Sequence, residues 1–330
     1  MSQTLPPVYA TTDEGLRLAV VDVTNPIFTV TASDAEIEML ADRFVEESAD
    51  RLEMSPAVRA ALEQSVLGKG LMAASSSFLS GVLTYLLKLG PDHLPDPLTA
   101  IDRRIAASFP GFATRIRLQD MARLIAEGLT APLTAHPARP LCFINIGGGP
   151  AADSWNALLQ LRAAQPALLR DRAVTIAVLD VDDSGPRFGA RAVSALSDSG
   201  GPLSGVAIEF RRVAYNWSDA SGLASLLGEL AAGQAMGAIS SEGALFEYGS
   251  DAEIGANLAQ IRAAVAPDAI VVGSVTRDAA PTRAARAASR VPTYPRTLEA
   301  FERLAREAGW LVDRAIERPF TYDVRLTAAL

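Results

Sequence analysis

An apolar run that ends in three glycines is the feature that most constrains this chain. Leu141–Ile146 carries no charge, and Gly147, Gly148 and Gly149, here called the glycine turn, follow it directly. Such a run suits a parallel strand that is buried on both faces. Glycines between a strand and a helix let the backbone turn tightly and approach a ligand, and the free N–H groups of the helix can face an anion. The sequence therefore predicts a strand, a ligand-binding turn and a helix.

A carboxylate at the end of the next apolar run indicates the kind of ligand. Asp180 follows the predicted strand 174–179, and a carboxylate there can accept both hydroxyls of a ribose. The glycines do not match the G-x-G-x-x-G pattern, because Ala152 stands at its last position. A nucleoside joined to an amino acid is therefore favoured over a pyrophosphate. The glycines could also be turn chemistry alone, and Asp182 and Asp183 are predicted to be solvated loop acids.

Strands and helices alternate from the glycine turn to the end of the chain. Helices are predicted between further strands at 206–213, 244–247, 269–275, 310–316 and 322–328. Alternation that ends in a pair of strands is typical of an α/β fold with a doubly wound sheet. We therefore expect a Rossmann-like sheet with an antiparallel C-terminal edge strand.

The first part of the chain has a different period. Residues 12–130 carry apolar positions at helical spacing, and 71–89 is predicted to be one long buried helix. Prolines at 132, 137 and 140 are expected to break any helix there. These features predict an all-α N-terminal cap domain over 1–135 and a ligand-binding domain over 136–330.

The end of the chain resembles a known family. Gly309–Asp313, followed by residues 322–330, is similar to the closing helix–strand–strand hairpin of class I S-adenosylmethionine (SAM) dependent methyltransferases. The resemblance covers residues 140–330. It implies a Rossmann-like fold with SAM as the cofactor, the glycine turn beside the methionine part of SAM, and Asp180 on its ribose.

Two later segments fall where this family completes its site. The resemblance implies that Asn216, Trp217 and Asp219 contact the adenine, with Trp217 stacked on the ring and Asp219 bonded to the amino group. It also places Glu247 and Tyr248 as catalytic residues that face the methyl group or the substrate. Tyr248 could form a hydrogen bond near the sulfonium, and Glu247 could orient an amine. Packing within a loop is the alternative for each of these residues.

Asn145, just before the glycine turn, is a departure from the family. The family commonly has an acid there, which often contacts the SAM amine, so Asn145 is predicted to be a catalytic residue of altered chemistry. A second departure is the separation between Gly147 and Asp180, which exceeds the usual separation of about 20 residues. We attribute it to an inserted loop near 165–171.

A second SAM chemistry fits these departures. A helical N-terminal part, a Gly-Gly-Gly-Pro motif and a Leu-Asp-Val-Asp strand end are also similar to the nicotianamine synthase type and to SAM cyclases that form azetidine-2-carboxylate. In those enzymes an amine attacks the carbon γ to the carboxylate, and methylthioadenosine leaves. In the cyclase the nucleophile is the α-amine of SAM itself, so no second substrate is needed. An asparagine that does not hold this amine as an ammonium would keep it nucleophilic.

Three functions therefore stay open. The first, which has the larger family behind it, is methyl transfer to a small specialised metabolite. The second is a SAM-consuming cyclase or aminopropyl-type transferase that releases methylthioadenosine. The third is a protein of the same fold that binds a ligand without catalysis.

Composition excludes several other classes. A formal charge of −8 with no basic run argues against nucleic acid as a partner. The single cysteine, Cys142, cannot form a disulfide within the chain and is expected to be a small core residue. No metal cluster is evident, and neither histidine (His93, His136) stands where the family places a base. With no signal peptide and no apolar run of about 18 residues, we expect a cytoplasmic protein that is not in a membrane. A homodimer is left open.

Overall fold

The N-terminal region is built from helices and one short hairpin. The structure, a computed structural model, describes residues 6–49, 55–74, 78–287 and 293–329. In this region it contains β1 Tyr9–Thr11, β2 Arg17–Ala19, α1 Asp34–Ala49, α2 Pro56–Leu62, α3 Val66–Ala73, α4 Gly81–Leu89, α5 Ala100–Ala107 and α6 Phe109–Ala135. The region is helical as predicted, but the antiparallel pair β1–β2 is an addition to the all-α cap that we expected.

Two predictions about these helices are wrong. The single helix at 71–89 is two helices, because α3 ends at Ala73 and Ser80 caps a new helix by accepting a hydrogen bond from Leu83 N. The serines at 75–77 lie outside the described residues. Pro132 does not break α6, which continues to Ala135. A proline inside a helix costs about 3 kcal/mol, but the neighbouring Leu133 is fully buried, and this packing offsets the cost.

The C-terminal part is a seven-stranded sheet with helices on both faces. Its order is β5-β4-β3-β6-β7-β9-β8, where β3 to β7 are parallel and β9 pairs antiparallel with both β7 and β8. The strands are β3 Leu141–Ile146, β4 Ala173–Asp180, β5 Ala207–Ala214, β6 Met236–Ser241, β7 Ile270–Thr276, β8 Trp310–Glu317 and β9 Thr321–Ala328. The predicted Rossmann-like sheet with its antiparallel edge is confirmed.

The connecting helices follow the predicted alternation except at one place. They are α7 Ala152–Ala164, α8 Ser184–Ser197, α9 Ser221–Gly233, α10 Leu245–Tyr248, α11 Asp251–Ala264, α12 Ala280–Ala287 and α13 Leu298–Glu307. The prediction of a strand at 244–247 is wrong, because these residues start the short helix α10. The strand there is β6, whose small and polar residues do not form an apolar run.

The chain reverses its direction of travel across the sheet between β3 and β6. From β3 it moves outward to β4 and β5, then crosses back to β6 on the other side of β3. Ligands of doubly wound folds bind at the carboxyl ends of the strands at such a reversal. The glycine turn follows β3 at this edge, so it lies where ligands of such folds bind.

The N-terminal region and the sheet share one hydrophobic core. Tyr85 of α4 packs against Trp155 of α7 and Phe188 of α8, with ring centroids 6.0 and 4.7 Å away. Trp155 Nε1 in turn donates to the carbonyl of Val21, which lies just after β2. The division at 135/136 stays a prediction. No helix in the described part of the chain is long and apolar enough to cross a membrane.

Candidate functional site

The glycine turn has no room for side chains. Gly147 and Gly149 have φ values of +64° and +55°, which L-residues rarely adopt. A Cβ on Gly148 would lie 1.1 Å from Asn145 Oδ1, so the turn rests directly on the Asn145 side chain. The three glycines are therefore required by close packing against neighbouring parts of the chain, and only Gly147 is partly exposed.

The start of α4 lies against the same turn. A Cβ on Gly149 would be 2.9 Å from the Cα of Gly81, and a Cβ on Gly185 would be 2.7 Å from the Cα of Gly149. Gly81 N also donates to Asp182 Oδ2 over 2.8 Å. Three glycines from three elements thus bring the N-terminal region into direct backbone contact with the glycine turn.

Asp182 is not the solvated loop acid that we predicted. Its carboxylate accepts hydrogen bonds from Gly81 N, Ser184 N and Ser184 Oγ. Burial acts to raise its pKa, but these bonds outweigh burial and hold the pKa below its ordinary value. Asp183 is half-exposed and pairs with Arg212 at 2.9 Å.

Asp180 faces the glycine turn from the end of the adjacent strand. Its Oδ2 accepts from Gly149 N and its Oδ1 from Asp182 N, both over 2.9 Å. Burial raises the pKa of this carboxyl despite those bonds. The next residue, Val181, is 65% exposed and offers an apolar surface beside the carboxylate. The structure therefore brings together the glycine turn and Asp180.

Only one of the three residues predicted at the adenine lies directly beside the glycine turn. Trp217 lies against the turn, because a Cβ on Gly147 would be 3.2 Å from Trp217 Cζ3. Asn216 and Asp219 are exposed and pair with each other in the tight turn after β5. Asn216 Oδ1 also accepts from Ser218 N over 3.1 Å. Trp217 is thus at the site, whereas the other two shape the turn that carries it.

Phe78, which was not predicted as a site residue, makes ring contacts with two residues that were. Its ring centroid is 5.6 Å from that of Trp217 and 4.9 Å from that of Tyr248. Phe78 itself is 49% exposed. An aromatic wall with contributions from α10, the turn after β5 and the segment before α4 thus stands beside the glycine turn.

A network of charged side chains lies behind this wall. Lys88 Nζ and Glu242 Oε2 form a buried ion pair of 2.7 Å, with 3% and 1% of their side chains exposed. Arg117 Nε is 3.4 Å from Glu242 Oε1, and its Nη1 is 3.4 Å from Glu247 Oε2. Burial lowers the pKa of Arg117, but Glu242 and Glu247 outweigh burial and raise it, so Arg117 stays charged.

Tyr248 is a neutral phenol in this setting. The negative charge of Glu247, followed by burial, raises its pKa above the ordinary value of 10.0. A neutral phenol can donate one hydrogen bond and accept another. The predicted pair of Glu247 and Tyr248 is therefore present as a carboxylate beside a hydroxyl, next to Arg117.

Asn145 lies beneath the turn and not on its ligand side. It is fully buried, and its Nδ2 donates to Asp153 Oδ1 over 2.5 Å and to Ser240 Oγ over 2.9 Å. Burial raises the pKa of Asp153 to about 6. Asp153 Oδ2 and both carboxylate oxygens of Asp323, which is equally buried, have no hydrogen-bond partner among the described residues. Burial raises the pKa of Asp323 well above its ordinary value.

The sequence contains only a weak signal for this network of buried charges. Lys88 is the single charge in the otherwise apolar helix α4, which is a signal for a buried partner. Arg117 and Glu242 lie in segments that contain several other polar or charged residues, so they carry no such signal. Arg277, which follows β7, pairs with Glu317 and lies over the ring of Tyr322.

No metal site emerges from the residues that the structure describes. No three His, Cys, Asp or Glu side chains among them are close enough together to hold an ion. The expected lack of a metal stays a prediction.

Comparison with known proteins supports the fold. No protein-family model and no curated protein sequence matches the chain. A possible exported protein from Bordetella parapertussis is similar over 91% of this chain and 98% of its own, with 18% identity and a TM-score of 0.53. Magnesium protoporphyrin IX methyltransferase (ChlM) from Synechocystis PCC 6803 with bound SAH covers 71% of this chain and 90% of its own, with 10% identity and a TM-score of 0.44. LepI in complex with SAM covers 91% and 82%, with 16% identity and a TM-score of 0.43. The first likeness shows a shared fold; the other two superpose too loosely to carry an argument.

Proposed function

We propose that this protein is a SAM-dependent transferase that methylates a small specialised metabolite. The observation that carries the proposal is the contact of Asp180 Oδ2 with Gly149 N over 2.9 Å, at the carboxyl ends of adjacent parallel strands. A bare backbone turn beside a carboxylate at the reversal of strand order is the arrangement that a nucleoside cofactor requires.

The residues around the glycine turn fit such a cofactor on one face of the turn. Gly148 and Gly149 are buried, so a cofactor would approach the turn at Gly147, which is half-buried and lies beside Trp217. Each oxygen of Asp180 accepts one backbone hydrogen bond and keeps a further lone pair for a ribose hydroxyl. Val181 and Trp217 would flank the adenine.

The chemistry of the transfer depends on orientation more than on a strong base. SAM supplies a methyl group already activated by its sulfonium. The aromatic wall of Phe78, Trp217 and Tyr248 would exclude water and favour the positive charge through ring faces. Glu247, with 17% of its side chain exposed, would orient an acceptor and take up its proton, with Arg117 holding that carboxylate in place.

SAM binding tests the proposal directly. We expect isothermal titration to give saturable binding of SAM, and Asp180→Asn to weaken it about tenfold, because a charged acceptor of the ribose hydroxyls is lost. Asp183→Asn is the matched control, since Asp183 is a neighbouring acid that pairs with Arg212 at the surface. A wild-type chain that does not bind SAM would overturn the proposal.

A second candidate is the SAM cyclase, favoured by the pair of Asn145 and Asp153. The family acid at 145 is replaced by an amide whose Nδ2 is bound to Asp153, and Asp153 Oδ2 is buried without a partner. Because both side chains are buried beneath the turn, neither would hold the SAM amine as an ammonium, which keeps that amine nucleophilic. Incubation with SAM alone separates the two functions by mass spectrometry. Methylthioadenosine with azetidine-2-carboxylate supports cyclisation, whereas unchanged bound SAM supports methyl transfer or binding alone.

Three further expectations belong to this proposal. The protein would act on a small molecule or on SAM alone in the cytoplasm, without a nucleic-acid partner, because its net charge is −8. Whether it works alone or as a homodimer is decided by light scattering of the purified chain.

A further inference from the structure

A cavity of about 180 Å³ lies in the N-terminal region at the C-terminal end of α4. The glycine turn contacts the other end of this nine-residue helix, about 13 Å away. Ile27, Val30 and Leu89 form apolar walls, and Asp92, His93 and Arg115 contribute polar groups. The cavity is therefore separate from the site proposed for SAM.

Arg115 brings an unpaired charge to this cavity. Its Nε is buried without a hydrogen-bond partner, and within the described ranges Arg115 forms no ion pair. Its guanidinium carbon lies 5.6 Å from the ring centroid of Phe112. Burial lowers the pKa of Arg115, although Asp92 opposes this shift. A guanidinium carries five donors, and the buried Nε of Arg115 is left without an acceptor, which is costly unless a ligand supplies one.

The backbone around Arg115 is shaped to admit the guanidinium. Gly90, which ends α4, has a φ of +78°, and a Cβ there would lie 2.7 Å from Arg115 Nη1. His93 forms the neighbouring wall, fixed by a 2.8 Å hydrogen bond between its Nε2 and the carbonyl of Ile27 and by the ring of Phe28 at 4.8 Å. The walls are thus held in place by contacts of their own.

We propose that this cavity binds a small monoanion, a carboxylate or phosphate group on a short apolar stem, through paired hydrogen bonds from Arg115. The planar guanidinium fork matches both groups. The volume corresponds to about six water molecules, which suits a stem of a few carbons. Asp92, exposed beside the cavity, disfavours a second negative charge on the ligand.

The test is a titration of the full chain followed by amide NMR at Gly90. The probes are butyrate and diethyl phosphate, which distinguish the two anionic groups, and butylammonium as a cation of similar size. We expect saturable shifts with at least one anion at millimolar concentrations. Arg115→Gln should weaken binding at least about tenfold through the loss of charged hydrogen bonds. Asp92→Asn should strengthen it about twofold to fivefold by removing an exposed repulsion.

Arg104→Gln is the matched control, because Arg104 is an exposed arginine in the adjacent helix α5 and should leave binding unchanged. Thermal unfolding of each variant establishes that it is folded. The opposite shifts of Arg115→Gln and Asp92→Asn support the site. Failure of both anions to saturate, equal binding of butylammonium, or unchanged binding in both variants would overturn it.

Discussion

Some residues at the glycine turn can be predicted from local sequence patterns, and others cannot. The glycines and Asp180 were predicted because a turn after a strand and a carboxylate at a strand end are local patterns. The position of Asn145 beneath Gly148 was not, since its partner Ser240 is 95 residues further along the chain. A contact over such a distance is set by the pairing of β3 with β6, which local sequence does not encode.

Asp153 should make stability depend on pH. The folded chain holds its proton with a pKa of about 6, against an ordinary value of 3.8, so the wild-type free energy of unfolding falls as the pH rises through this window. Asp153→Asn keeps an acceptor for Asn145 and does not titrate. Relative to wild type, we expect the variant to gain about 3 kcal/mol between about pH 4 and pH 7. Urea unfolding at several pH values measures this, and a difference that does not change with pH contradicts it.

Elements were predicted well where their pattern is unambiguous and poorly where it is mixed. β3 and the first half of β7, Ile270–Val272, are apolar runs, and both strands were found with bounds close to those observed. β6 contains Gly237 and two serines whose hydroxyls are satisfied by Asn145 Nδ2 and Leu245 N, so its buried faces do not read as apolar. Burial of a strand can therefore be hidden when polar groups find partners across the sheet.

Removing only one partner of the buried ion pair between α4 and the loop after β6 should lower the free energy of unfolding. Lys88→Met leaves Glu242 buried with only the 3.4 Å contact to Arg117. We expect a loss of about 3 kcal/mol in the free energy of unfolding, measured by urea titration. Adding Glu242→Gln should restore much of this loss, because the unpaired charge is then removed.

An exposed pair provides the control for this prediction. Arg43 and Glu47 lie 2.8 Å apart in α1, with 73% and 51% of their side chains exposed. Arg43→Ala should cost less than about 1 kcal/mol. A loss in Lys88→Met no larger than this would show that the buried pair does not tie α4 to the sheet.

For the whole molecule, the sequence pattern predicts two regions of different periodicity, but it does not predict the contacts that join them. Helical spacing up to residue 130 and alternation after it were both visible. The hydrogen bonds that join the regions, such as Val23 N to Asn156 Oδ1 over 2.8 Å, span 133 residues. The helical part therefore contributes side chains to a core that it shares with the sheet.

Expression of residues 136–330 alone tests this union. Without the N-terminal region, Trp155 and Phe188 lose their contacts with Tyr85, and one face of the sheet loses its cover. We expect the fragment to bind a hydrophobic dye and to unfold without a cooperative transition, as seen by calorimetry. A sharp transition comparable to that of the full chain would instead show that the division at 135/136 separates two independent domains.

The hydrogen bond from Trp155 to the carbonyl of Val21 has a consequence for the synthesis of the chain on the ribosome. The carbonyl of Val21 accepts its hydrogen bond from a residue made 134 positions later. At about 5 to 20 residues per second, a ribosome needs roughly 7 to 27 seconds to bridge that gap. During this time the carbonyl of Val21 lacks its final donor, although its N–H can already bond to the hydroxyl of Tyr85. The nascent chain should therefore need protection, and its N-terminal helices should settle only once β3 and α7 have left the exit tunnel.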